Sequence, residues 1–208
     1  MDIHAPEGPT RSFKEFAIHI LIVTIGILIA LGLEGIRESI HEHNLIVETR
    51  TSFREELAAD RRNLVHETAD VKDKSAQLDS VLHDLPQLVK TPDELQKRVD
   101  ALEPSFYYFR GSAWGEASAT GILAYMKTEE ANRYADVYFD IESYQTFSRQ
   151  AVLDWTAVKS FFDSRRSFSP QDAVDGEQKL RTLQFDLTAM RHADQEFMDN
   201  LNAVLPHQ

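Results

Sequence analysis

The sequence has no cysteine among its 208 residues. That removes a disulfide framework, a thiolate nucleophile, an iron–sulfur cluster and a zinc–thiolate site. It suits an oxidising compartment without requiring one. Glycine and proline are sparse, at 8 and 7, which favours helices joined by few long loops. Basic residues are outnumbered, 22 to 34, for a net charge of −12. Nucleic acid needs a basic footprint, so this balance argues against it as a partner. It also argues against an extramembrane domain lying flat on anionic lipid. No stretch alternates apolar and polar residues with period two over a useful length, so strands are not expected. A P-loop, a dinucleotide fingerprint and a nucleophile elbow are all missing. The chain is therefore read as a non-enzyme without a cofactor.

What the sequence does have is one long apolar run, Phe16 to Leu33, FAIHILIVTIGILIALGL. Its 18 or so uncharged residues cover roughly 27 Å as a helix, enough for a thin hydrocarbon core. With its flanks the membrane segment is placed at 13–35. His19 lies one turn from the entry end and reaches the headgroups as a neutral imidazole, and Thr24 bonds back to a helix carbonyl. A buried soluble helix is rarely apolar on every face. A cleaved signal has a shorter core followed by a small-x-small site, whereas Ala30-Leu31-Gly32 sits inside the run. An uncleaved anchor fits best. Arg11 and Lys14 precede the run, while Arg37 alone follows closely. That bias puts the N-terminus in the cytoplasm and, in a bacterial inner membrane, the following domain in the periplasm. Gly26 and Ala30 share one helix face and offer a surface for close helix–helix approach.

Residues 1–12 are polar, with two prolines and a glycine, and read as a short disordered cytoplasmic tail. Beyond the membrane, residues 36–208 are expected to form one helical domain. A long helix over 36–85 carries Leu57, Leu64, Val71, Leu78 and Leu85 at seven-residue intervals. Taking Arg54, Arg61, Thr68 and Ser75 as the second heptad position leaves a one-sided stripe, which packs on its own domain rather than in a coiled coil. Glu55, Glu56, Asp60, Arg61 and Arg62 are read as solvated faces. Thr91-Pro92-Asp93-Glu94 is a capping-box start for a short helix over 92–102. An aromatic loop, SFYYFRGS, follows at 105–112. Ser112 is expected to cap a helix over 113–126, in which Gly115 and Gly121 suggest close packing. Helices over 129–168 and 171–204 complete the set. In the last, Gly176 is expected to delay regular helix, and a stripe from Leu180 to Val204 holds one polar member, Asp194. The fold class is all-α: a single N-terminal transmembrane helix continuing into an antiparallel helical bundle.

Three groups of residues have chemistry to offer. His41 and His43 point about 200° apart on a helix and cannot share a metal from one face. Glu38-x-x-His41 has the spacing used in di-iron bundles, but no second such motif exists. No metal is therefore expected. Asp194, on an apolar stripe, requires a partner, for which nearby arginines serve, for example the Arg165–Arg166 pair. Tyr107, Tyr108 and Trp114 are candidates for a ligand or partner surface, the alternative being a loop that plugs the bundle.

Gly26-Ile27-Leu28-Ile29-Ala30-Leu31, then Phe53-Arg54-Glu55-Glu56-Leu57 with Asp60 and Leu64, form one set of recognisable features. Trp114-Gly115-Glu116-Ala117 to Ala119-Thr120-Gly121, followed by Tyr125-Met126, forms another. In these, over about half its length, the chain resembles a loose group of uncharacterised bacterial single-pass membrane proteins with a helical extramembrane domain. That resemblance implies an anchored helical protein and adds no catalytic residue. The first functional expectation is an envelope scaffold or interaction protein, assembling with itself or with another membrane protein. The second is an extracytoplasmic ligand-sensing domain acting through a membrane partner. A metal-dependent or hydrolytic enzyme comes last.

Overall fold

The computed structural model describes residues 13–205, so the expected tail over 1–12 lies outside the described residues. Among those described the fold is all-α, with no strand. The chain divides into two compact units, Met1–Val47 and Glu48–Gln208. Helix α1 (Phe13–Leu88) contributes residues to both.

In the first unit every side chain described from Glu15 to His41 is exposed. An 18-residue window here has mean hydropathy 2.7 and none of it is buried within the chain. Length and composition suffice for one membrane crossing.

The second unit comprises α1 from residue 48 onward, α2 (Pro92–Asp100), α3 (Ser112–Thr120), a 3-10 turn (Ile122–Tyr125), α4 (Thr128–Asp163) and α5 (Pro170–Val204). Its core is set by the inner face of α1. Phe53, Leu57, Asp60, Leu64, Glu67, Val71, Leu78, Val81, Leu85 and Leu88 are all buried. Their spacing alternates four and three, apart from Lys74, which donates to the Ala101 carbonyl at 2.7 Å. The second heptad position is thus Asp60, Glu67, Lys74, Val81 and Leu88, not Arg54, Arg61, Thr68 and Ser75. Each fully buried leucine here contributes about 1.5–3 kcal/mol relative to exposure.

Helix α4 runs parallel to α1. Arg50 makes a bidentate bridge to Glu130, with both contacts at 2.7 Å, and further along Tyr138 donates to Glu56 at 2.9 Å. Helix α5 returns antiparallel to α4, with Asn200 on Asp140 at 2.7 Å near one end and Gly176 against Phe162 near the other. The same helix passes α1 in the opposite sense, with Gln184 on Asp79 at 2.6 Å. So α5 is antiparallel to the other two long helices, and α1 and α4 are parallel. An extended segment makes the return between α1 and α4.

Several local expectations change. Helix α1 runs through Pro86 to Leu88, because a proline in the last turn removes only one helical bond. Thr91 precedes α2, with Pro92 at its first position, but makes no side-chain cap bond. The helix expected over 113–126 ends at Thr120, where Gly121 takes φ +72°, and the chain passes into a 3-10 turn. Gly121 is therefore a left-handed C-cap rather than a packing site. Gly115 has nothing within 4 Å of where a Cβ would stand. Close approach occurs instead at Gly176, where a Cβ would lie 2.7 Å from Phe162 Cζ. Gly176 belongs to a regular α5, which starts at a complete Ser169–Asp172 capping box.

Candidate functional site

The segment from Ser105 to Ser112 is the irregular part of the chain that the second unit is built around. It runs back along α1 in extended form, and its side chains alternate as extended backbone requires. Phe106 and Tyr108 are exposed, while Tyr107 is half-buried and Phe109 is buried. Phe109 enters the core edge-on to Tyr144 (5.5 Å between centroids, 84°) and to Phe197 (5.4 Å, 72°). Such edge contacts favour aromatic pairs beyond simple area burial.

Extended backbone outside a sheet must find other partners for its amides. Here α1 supplies them as a row of polar side chains. Asp70 accepts from the Ser105 amide at 3.2 Å. Asn63 donates to the Tyr108 carbonyl at 3.3 Å. Asp60 accepts from the Arg110 amide at 3.1 and 3.2 Å. Glu56 accepts from the Ala113 amide, the Ser112 hydroxyl and the Tyr138 hydroxyl. From the other side Gln145 donates to the Phe109 carbonyl at 2.7 Å. Glu56, Asp60 and Glu67 are buried, which corrects the reading of Glu56 and Asp60 as a solvated face. Ser112 is the first residue of α3 and makes no cap; Gly111 precedes it, and Glu56 fills the capping role from another helix.

Deeper in the bundle lies a second polar group. Glu67, Tyr144 and Asp194 are 1%, 1% and 3% exposed. The Tyr144 phenol interacts electrostatically with both carboxyls. Yet none of the five oxygens of this trio completes a hydrogen bond with the described residues. Burial drives Glu67 up to about 8, helped by the charges of Asp194 and Asp70. Burial lifts Asp194 to about 6, opposed by Tyr144, Thr68 and the more distant Arg191. Asp60 rises to about 7, again through burial, with the Arg110 amide opposing. The two phenols, Tyr138 and Tyr144, are pushed up by burial as well. The Glu67–Asp194 pair therefore binds protons more tightly than free carboxyls do, Glu67 the more so.

The anticipated partner of Asp194 is engaged elsewhere. Arg165 binds Asp172 at 3.0 Å and the Phe161 carbonyl at 2.7 Å, with its guanidinium 3.8 Å over the Phe161 ring. Asp194 instead faces Tyr144, Thr68 and Glu67.

The four residues singled out from sequence fall into separate places. Tyr108 and Trp114 line one cavity of about 390 Å³ together with Tyr138, Glu142 and Gln145. Trp114 stacks on Tyr138 at 5.3 Å and 23°. Tyr107 lies outside that cavity and stacks on His66 at 6.5 Å and 14°. Asp194 lines a different cavity, of about 370 Å³, with Thr68, Lys72, Arg191 and Asp199. In the first unit Gly26 and Ala30 are exposed, and nothing stands within 4 Å of a Cβ at Gly26. His41, His43 and His192 are exposed. Among the described residues no three His, Asp or Glu side chains are grouped to hold a metal ion. Sequence reasoning missed Glu56, Asp60 and Glu67. The signal was present, since each lies on or beside the Leu57–Leu64–Val71 stripe.

No family model, curated protein or solved structure matches this chain.

Proposed function

We propose that this is a membrane-anchored interaction or scaffold protein of the bacterial envelope, with its helical domain on the periplasmic side. The observation that supports it is the apolar run of α1, none of which is buried by the chain itself. Water is a poor solvent for eighteen such residues, so lipid or another apolar helix must cover them. Gly26 and Ala30 leave one face open to close helix approach. The partner is a second copy of this chain or another membrane protein. Native mass spectrometry after gentle extraction tests this reading, using the intact chain and a Gly26→Leu variant. A homo-oligomer or a protein complex that G26L dissociates supports it. A monomer without protein partners, the same in both, overturns it.

A second reading, an extracytoplasmic ligand-sensing domain acting through a membrane partner, draws support from the two side-chain-lined cavities near Trp114 and Asp194.

A further inference from the structure

The cavity between the extended segment, the start of α3 and α4 is lined by aromatic rings and one carboxylate. Tyr108, 68% exposed, stands at its rim. Trp114 is half-buried, and Tyr138 is buried. The one formal charge in the wall is Glu142, exposed on α4. Arg110 lies between lining residues in the chain but does not contribute to the wall. The side-chain donors of the wall are committed inward. Tyr138 donates its hydroxyl to Glu56 at 2.9 Å, Ser112 donates its own to the same carboxylate, and Gln145 donates to the Phe109 carbonyl at 2.7 Å. A helix N-terminus attracts anions, but that of α3 is already met by Glu56, which accepts from the Ala113 amide. An anion in this cavity would therefore face Glu142 with little to hold it.

We propose that this cavity binds a quaternary ammonium group, with its methyl groups against the Tyr108 and Trp114 rings and its charge balanced by Glu142. Aromatic rings attract cations through their quadrupole, indole most strongly. A quaternary ammonium has no N–H to satisfy, so rings and one carboxylate are a sufficient wall for it. A primary ammonium brings three N–H donors and a tighter hydration shell, and gives up more water on meeting rings. A neutral apolar ligand would gain the rings and make no use of Glu142. Trp114 already stacks on Tyr138 at 5.3 Å and 23°, so its ring is held in place before a ligand arrives. The volume, about 390 Å³, lies at the small end of the range for small-molecule sites and suits a headgroup. The same chemistry reaches the site on a free small molecule or on a lipid headgroup. This inference deepens the ligand-sensing reading, on which it rests, and does not depend on what the membrane helix assembles with.

The test is isothermal titration calorimetry of the full chain in nanodiscs of phosphatidylethanolamine and phosphatidylglycerol, which carry no quaternary nitrogen. The probes are tetramethylammonium, choline, and the neutral isostere of choline in which a tert-butyl group replaces the trimethylammonium. The expected result is saturable binding of choline, with the isostere weaker by about tenfold or more. Tyr108→Leu, at an exposed position, removes the ring and keeps an apolar side chain, and is expected to weaken choline by about threefold or more. Glu142→Gln is expected to do likewise and to flatten the dependence of affinity on salt. Nanodiscs containing phosphatidylcholine separate the two sources. Loss of the choline signal there assigns the site to a lipid headgroup, an unchanged signal assigns it to a free ligand, and either supports the proposal. No binding of choline or tetramethylammonium overturns it, as does choline binding that Y108L and E142Q both leave unchanged. An isostere that binds as tightly as choline overturns it too, while the ligand-sensing reading stands with an apolar ligand in its place.

Discussion

Residues 16–33 and residues 53–88 lie on the same helix, α1, and obey opposite rules. In the first stretch apolar side chains are exposed on all sides and no charge interrupts them. In the second, apolar side chains are buried, and carboxylates are buried among them. A side chain's polarity therefore does not by itself decide its position. What decides is what the rest of the chain brings to cover it. Among the described residues Leu28 stands exposed, at 62%. Asp60, at 0%, is covered by a backbone amide aimed at its carboxylate.

The sharpest way to break this contrast is to truncate apolar residues in both stretches. Phe109→Ala, which empties the aromatic contact with Tyr144 and Phe197, should destabilise the second unit by about 3–5 kcal/mol. Leu28→Ala should leave the urea midpoint of that unit unchanged, because its side chain is exposed among the described residues. Equal losses in chemical denaturation would show that the two stretches do not differ in this way.

The buried carboxyls sharpen the contrast through pH. Glu67, Asp60 and Asp194 stand at about 8, 7 and 6 in the folded chain, all above their unfolded values. Folding therefore takes up protons. The stability they contribute is fully present below about pH 4 and is lost as pH rises through 6 to 8. At about 1.4 kcal/mol per pKa unit, the loss between pH 5 and pH 8.5 is about 4 kcal/mol from Glu67 alone, with smaller losses from Asp60 and Asp194. Thermal melts should drop by about 10 °C or more over that interval. Glu67→Gln should flatten the upper part of the slope, and an unchanged slope in E67Q would place the titration elsewhere. Asp172, held down to about 2 by Ser169 and Arg165, works in the reverse sense and loses its contribution only as pH falls below 4.

A smaller effect separates two glycines of similar appearance in the sequence. Gly176→Ala places a methyl 2.7 Å from the ring of Phe162, which is itself 2% exposed and has little room to move. It should cost about 1–3 kcal/mol. Gly115→Ala meets nothing and should add about 0.5–1 kcal/mol through helix propensity. Both are read from denaturant midpoints, and the same sign for both would remove the distinction.

The apolar run, the all-α class and the α5 stripe with its buried Asp194 were legible because each is periodic along one element. The row of carboxylates on α1 was not read, for a physical reason. Glu56 and Asp60 lie on or beside the apolar stripe, but the amides that partner them come from the return of residues 105–112 and the start of α3, and that return is not encoded locally. The pairing of Asp194 failed similarly. Arg165 is drawn to Asp172, seven residues away, and to the Phe161 ring beside it. Gly115 and Gly176 differ only in what a neighbouring helix presents, which no single-helix pattern contains.

The extended return also changes what an exchange experiment would see. Ordinarily slow amides mark helices and strands, and connecting segments exchange within seconds. Here the Ser105 and Arg110 amides belong to no helix or strand, yet each is held by a side chain of α1. To hydrogen–deuterium exchange this segment should read as structured chain, opening only when α1 itself lets go. Its protection thus reports on the helix beside it more than on its own conformation.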